Sequence, residues 1–196
     1  YALLSWIHHG KQPITNTLGF IPAVEAALRN PHFHYRTTET NEDLNRIFAP
    51  PFDSYNSKLA EETLTILQQV NPESLIDIHN TSGSSPNFSV ACVDSIKRLA
   101  SLFCSEQIIM KLSLNTLVEA VGEKYPAVVI ECGGSDDPES TITAYTGIEK
   151  YLTIDDLNTI NSDEITIRNH SIRIKLKPNH TLDFYQEYID QFVMKL

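Results

Sequence analysis

The stretch "AVVIEC" at 127–132 limits the fold more than any other part of the chain. Four apolar residues run without a break up to Glu131. A strand with one wet face alternates apolar and polar residues, whereas a strand covered on both faces carries a continuous apolar run. This strand is therefore expected to lie inside a sheet sandwiched between two layers of helices.

The rest of the chain fits such a sandwich. "SLIDIHN" (74–80), "NFSVACV" (87–93) and "EQIIMKL" (106–112) read as further strands, and "LGFIPA" (18–23) as a short one stopped by Pro22. Helical patterns lie between them. "YALLSWIHHGK" places Leu3, Leu4 and Ile7 on one face, with Gly10 able to close it. "AVEAAL" (23–28) is a short helix. "KLAEETLTILQQV" (58–70) carries a stripe of Leu59, Thr63, Ile66, Leu67 and Val70 and stops at Pro72. "DSIKRLASLF" (94–103) is capped by Asp94, and "DPESTITAYTGIEKYL" (137–152) opens with Asp-Pro. "APPFDSYNS" (49–57) is a loop. Strands alternating with helices predict a three-layer α/β/α domain with a mixed sheet over residues 1–155. Residues 156–196 read as a short C-terminal β-containing extension, with two β-like runs in "EITIRNHSIRIKLKP" about a turn at Asn169-His170.

Composition narrows the partners. The chain has 196 residues, 41% apolar and 20% charged, and a net charge of −10 with no run of Lys or Arg. That speaks for a soluble globular domain and against nucleic acid or an anionic membrane as partner. No apolar run approaches the roughly 18 residues of a membrane span. Cys92, Cys104 and Cys132 form no staple or zinc-finger spacing, which predicts a reducing, cytoplasmic setting. The N-x-S/T triplets at Asn80, Asn87, Asn169 and Asn179 then read as chance. Homo-oligomerisation is left open.

Three sets of residues could carry chemistry. His79 ends an apolar strand, and the carboxyl ends of strands border the ligand crevice of open α/β sheets. Asp77 shares its face, because strand side chains alternate. A His so placed can ligate zinc with a polar neighbour orienting it, or can hydrogen-bond within a turn. Glu131 ends the buried strand. A carboxylate at the rim of an apolar layer is costly to ionise and makes a good general base near neutral pH; it can also mark an ordinary strand end. Arg36 and Arg46, the latter in "NEDLNRIF" (41–48) beside Asn45, offer planar forks of donors that match a carboxylate, although surface arginines are common. "HHGK" (8–11) resembles a metal motif, but Gln12 stands where a carboxylate is needed, so His8 and His9 read as helix-end histidines.

Taken in order, Arg36 with "DLNRIF" (43–48), "DIHNTSG" (77–83) and "YPAVVIECG" (125–133) resemble the succinylglutamate desuccinylase/aspartoacylase family, relatives of the zinc carboxypeptidases. The resemblance runs from about residue 3 to 150. It implies a zinc-carboxypeptidase-like fold and zinc-dependent hydrolysis of an amide in a small carboxylate-bearing substrate, such as an N-acyl amino acid. It implies His79 as a zinc ligand, Glu131 as general base, Arg36 as the group polarising the carbonyl, and Asn45-Arg46 as the pair holding the substrate carboxylate. The family's H-G-x-E turn, which supplies the remaining zinc ligands, has no counterpart here. "YALLSWIHHGK" opens as a helix without a cap, so the natural protein is expected to extend upstream of Tyr1 through a short strand and that turn. Two other readings keep the scaffold: a carboxypeptidase-like peptidase, and a non-catalytic binding module.

Overall fold

In the computed structural model, residues 2–32, 35–37, 42–81, 83–93 and 96–169 are described. Five strands form one mixed sheet. They are β1 (Leu75–Thr81), β2 (Phe88–Ala91), β3 (Glu106–Ile109), β4 (Ala127–Gly134) and β5 (Thr166–Asn169). The order across the sheet is β1-β4-β2-β3-β5. The pairs β1–β4, β2–β3 and β3–β5 are parallel, and β2–β4 alone is antiparallel. β4, with its unbroken apolar run, is an interior strand with helices over both faces. The three-layer α/β/α arrangement with a mixed sheet is therefore present.

Each face has its own core. On one, Val128, Ile130 and Cys132 of β4 meet Leu99 and Ala100 of α4 (Lys97–Ser101) and Ala144 of α6 (Pro138–Thr153). α1 (Ala2–His8) adds Ala2 to that cluster. On the other, Leu75, Ala127 and Val129 meet Ala60 and Leu67 of α3 (Tyr55–Val70), and Leu117, Val118 and Val121 of α5 (Leu117–Val121). Phe103 packs closely on the middle of α6, where Gly147 makes room. A Cβ at Gly147 would fall 1.9 Å from the Phe103 ring.

Caps set the helix limits. Ser54 and Ser57 form a reciprocal capping box at the start of α3, and Asn71 closes it in the left-handed region at φ 47°. Asp137 accepts from the Glu139 amide, with Pro138 at the first position of α6. Thr116 and Glu119 form a second capping box at α5, a helix not expected from the sequence. α2 (Val24–Leu28) forms as expected. The expected Asp94 cap lies outside the described residues.

Several expectations are corrected. "LGFIPA" forms no strand: it is a surface segment with Leu18, Phe20 and Ile21 exposed and a bend at Pro22, and it pairs with none of the described strands. α1 buries Ala2 and Trp6 rather than the expected stripe; Trp6 is 1% exposed while Leu4 and Ile7 are 57% and 55% exposed. In α3, Ile66 and Val70 face out, and Asn56, Ser57 and Ala60 take the inner stripe with Thr63 and Leu67. The first β-like run of the C-terminal segment becomes β5, paired in parallel with β3 at the sheet's edge. The second run and its turn lie outside the described residues. Cys92, Cys104 and Cys132 are all free thiols. No described helix is long and apolar enough to cross a membrane.

Candidate active site

The register of β1 on β4 decides the geometry. His79 is paired directly with Glu131. Partners in adjacent strands project to the same face with backbones about 4.8 Å apart. That face is the one covered by α3 and α5, because Leu75, Asp77 and His79 alternate with Ile76 and Ile78 along β1, and Val129 and Glu131 lie on the same side of β4. β2 completes the row from the other side, with Phe88 paired to Glu131.

His79 is oriented by its own strand. Its Nε2 lies 2.9 Å from Asp77 Oδ2, a contact that the two-residue repeat makes natural. Nδ1 is then the nitrogen left to face a ligand. Burial of the ring alone would lower its pKa, but the charge of Asp77 and its hydrogen bond, together with Glu131, raise it above the usual value.

Glu131 sits where the apolar run of β4 meets the crevice. Burial pushes its carboxyl pKa up; the positive charges of His79, Arg36 and Arg46 offset part of that rise, and Asp77 adds to it. Its Oε2 is buried and has no hydrogen-bond partner among the described residues. Buried carboxylate oxygens are ordinarily paired, so this atom fits a partner supplied from outside the described residues, such as a substrate or a reacting water.

The turn after Glu131 needs glycine. Gly133 has φ +118°, where L side chains are strained, and a Cβ at Gly134 would sit 3.1 Å from the Gly83 carbonyl. Asn80 donates through Nδ2 to the Gly133 carbonyl at 3.4 Å, and the Ser135 amide donates to Thr81 O at 3.1 Å. The loops following β1 and β4 are thereby closed on each other beside the site.

Two described segments, 35–37 and 42–48, supply the cations and are together the arm of the site. Asn45 and Arg46 belong to a 3-10 turn, Leu44–Arg46, capped by Asp43, whose Oδ1 accepts from the Asn45 amide at 3.1 Å. Arg36 lies against the other oxygen of Asp43, with Nε 2.8 Å and Nη2 2.7 Å from Oδ2. Asn45 Oδ1 accepts from the Leu117 amide at the start of α5 at 2.9 Å, and the Phe48 amide donates to Asn115 O at 3.0 Å. Arg46 Nη1 donates to the Asn45 carbonyl. Leu44, Ile47 and Phe48 join the same core as α3 and α5, so apolar anchors and polar ties hold the turn together.

All five residues singled out in the sequence therefore belong to one neighbourhood, with Arg36 and Arg46 close enough to act on Glu131. Asp43 and the first turn of α5 were not singled out. The available signal was an Asp two residues before the Asn, the spacing of a side-chain cap. His8 and His9 do not take part: His9 packs edge-on to Tyr145 of α6 at 6.3 Å, and Lys11 pairs with Glu149.

The described residues contain no group of three His, Cys, Asp or Glu able to hold a metal ion. A hydrolytic zinc site takes three protein donors. His79 offers one donor with an orienting carboxylate, so the described residues alone do not complete such a site.

No family model and no curated protein matches the sequence. Solved structures do match. The succinylglutamate desuccinylase of Vibrio parahaemolyticus superposes with a TM-score of 0.71 at 16% identity, over 94% of this chain and 61% of that one. The succinylglutamate desuccinylase of Chromobacterium violaceum gives 0.55 at 15% identity, over 72% and 54%. The ectoine utilization protein EutE (DoeB) of Ruegeria pomeroyi gives 0.54 at 19% identity, over 70% and 48%. The chain thus has the fold of these proteins and spans from about half to three fifths of their lengths.

Proposed function

We propose that the chain is the α/β portion of a member of the succinylglutamate desuccinylase/aspartoacylase family, a hydrolase of the amide bond in small carboxylate-bearing N-acyl amino acids. The observation that carries this is the pairing of His79 with Glu131 on one sheet face, where a Glu131 oxygen is buried without a partner among the described residues and the charges of Arg36 and Arg46 act on the carboxyl. The shared fold and the ordered residues Arg36, Asn45, Arg46, His79 and Glu131 support the same reading.

Each residue then has a role. Glu131, as carboxylate, accepts a proton from a water while the water oxygen bonds to the amide carbon. Its raised pKa makes it a stronger base than a solvated glutamate. Negative charge grows on the carbonyl oxygen, and Arg36 faces it. Asp43 engages Nε and Nη2 of Arg36, which leaves the Nη1 hydrogens for that oxygen. Protonated Glu131 passes its proton to the leaving nitrogen as the C–N bond breaks, giving a carboxylic acid and an amine, and the acid's remaining proton passes to the amine to leave a carboxylate and an ammonium ion. Asn45, through Nδ2, and Arg46 hold the carboxylate of the substrate.

Zinc belongs to the proposal as the expected cofactor, with His79 Nδ1 as one donor and the others coming from outside the described residues. No step above runs through it.

The test uses the full-length natural protein. A panel of N-acyl amino acids and short peptides is assayed with the native protein and with Glu131→Gln, and bound metal is measured in the native protein and in His79→Ala. The expected result is turnover of the N-acyl amino acids, lost in Glu131→Gln, with about one zinc per chain lost in His79→Ala. Preference for the peptides would replace the deacylase by a peptidase. Undiminished turnover in Glu131→Gln would remove Glu131 as the base.

A further inference from the structure

We propose that Asp43 is a positioning residue that ties the two substrate-handling parts of the site together, holding Arg36 on one carboxylate oxygen and the Asn45–Arg46 turn on the other; this rests on the hydrolase reading above. One carboxylate serves three donors. Its Oδ2 accepts from Arg36 Nε at 2.8 Å and contacts Nη2 at 2.7 Å, while Oδ1 accepts from the Asn45 amide at 3.1 Å. Its backbone carbonyl also accepts from the Arg46 amide at 3.0 Å.

The need for such a tie follows from where Arg36 lies. Its side chain is 53% exposed, and the described residues 35–37 around it belong to no helix or strand. A long exposed guanidinium samples many rotamers unless a partner fixes it, and the planar fork is well suited to a fixed carboxylate. Asp43 is itself fixed, because its other oxygen caps a turn anchored to the core by Leu44, Ile47 and Phe48 and to α5 through Asn45. The position of Arg36 is thus referred, through Asp43, to the same turn that reads the substrate carboxylate. A neutral amide cannot replace this carboxylate. Asparagine has one acceptor atom, and its NH2 group would face either the guanidinium or the Asn45 amide, both donors.

The consequence is a coupling between two kinetic constants. Asp43→Ala in the full-length protein should lower kcat, because Arg36 is released, and raise KM, because the turn is loosened, each by about tenfold. Combined with Arg36→Ala, it should lower kcat by no more than about twofold beyond Arg36→Ala alone, since its effect on kcat runs through Arg36. The rise in KM should persist in the double variant. A merely structural role would lower the active fraction in both backgrounds and leave KM alone, and a fully additive loss of kcat would overturn the proposal. A second measurement is independent of turnover. The Arg36 Nε–H resonance in a 15N spectrum, assigned by its loss in Arg36→Lys, should be protected in the native protein and broadened in Asp43→Asn. Its persistence in Asp43→Asn would overturn the clamp. Its loss there, in a protein that hydrolyses no member of the panel, would uphold the clamp and sink the hydrolase reading instead.

Discussion

The His79–Glu131 pair and the arm made of Arg36 and residues 42–48 bring side chains to one place by unlike means. The pair is set by backbone ladders: β1 and β2 flank β4, and both registers place Glu131 in one row. The arm is set by a few polar ties, from Asp43 to Arg36 and from Asn45 and Phe48 to the start of α5. The proposed reacting pair therefore inherits the stability of the core, whereas the residues proposed to read the substrate depend on local hydrogen bonds. Truncations in the strand core should act on stability and a change at Glu131 on turnover, whereas changes in the Asn45–Arg46 turn should act on recognition and leave the fold nearly untouched.

The sharpest separation comes from Glu131→Gln. It should lower kcat by about a thousandfold or more, equivalent to about 4 kcal/mol or more of barrier, while the melting temperature stays level or rises, because a buried carboxylate that is costly to ionise has been removed. A marked fall in melting temperature would show that Glu131 stabilises the sheet, and the contrast would break. Ile130→Ala tests the other half of the claim. Ile130 is fully buried and precedes Glu131 in β4, and its truncation should cost about 3 kcal/mol in a denaturant titration, with KM preserved in the protein that remains folded.

In the arm the pattern reverses. Arg46→Lys should raise KM about tenfold, since a point charge replaces a two-pronged donor, with kcat and midpoint of unfolding close to native. Equal effects on kcat and KM would mean that Arg46, like Arg36, acts at the reacting centre. Glu119→Gln gives the smallest change. Burial alone would raise the pKa of this carboxyl, but the Thr116 amide and hydroxyl, the Leu114 amide and the Ser113 hydroxyl outweigh it and leave it below the usual 4.5. Because the folded value is depressed, its contribution is complete above about pH 4.5 and is lost as pH falls through the folded value. Glu119→Gln should cost about 1 kcal/mol at neutral pH, as capping contacts generally do, and the difference from native should close in acid. A difference that persists at low pH would show the charge is not what acts.

The parts of this fold legible in the sequence are those where one local signal suffices. The unbroken run of β4, the Asp-Pro start of α6 and the turn chemistry around α3 each carry their own explanation. Glu131 and His79 could be read as strand ends, and the alternation of β1 put Asp77 on the face of His79. What escaped needed knowledge of a partner. "LGFIPA" has strand composition, yet an apolar run becomes a strand only where another strand offers a ladder. α1 contains two candidate stripes, and its packing on α6 selects Ala2 with Trp6 over Leu4 with Ile7. α5 spans only Leu117–Val121 and is held by its capping box and by Asn45, too short to show a period. The role of Asp43 depends on Arg36 folding back across the arm, which no spacing rule contains.

The sheet order carries a consequence for biogenesis. β1 and β2 follow each other in the chain but do not touch; β4, synthesised later than both and later than β3, slots between them. As a nascent chain emerges N-terminal first, β1 lacks its partner and β2 keeps one open edge until residue 134 has left the ribosome. Unpaired edges are templates for association with other chains, and pairings between distant segments form slowly. The arrival of β4 closes both edges, buries both cores and aligns His79 with Glu131 together. A chain stalled short of Ala127 accordingly leaves the β4-facing edges of β1 and β2 unpaired, and the alignment of His79 with Glu131 comes no sooner than the closing of those edges.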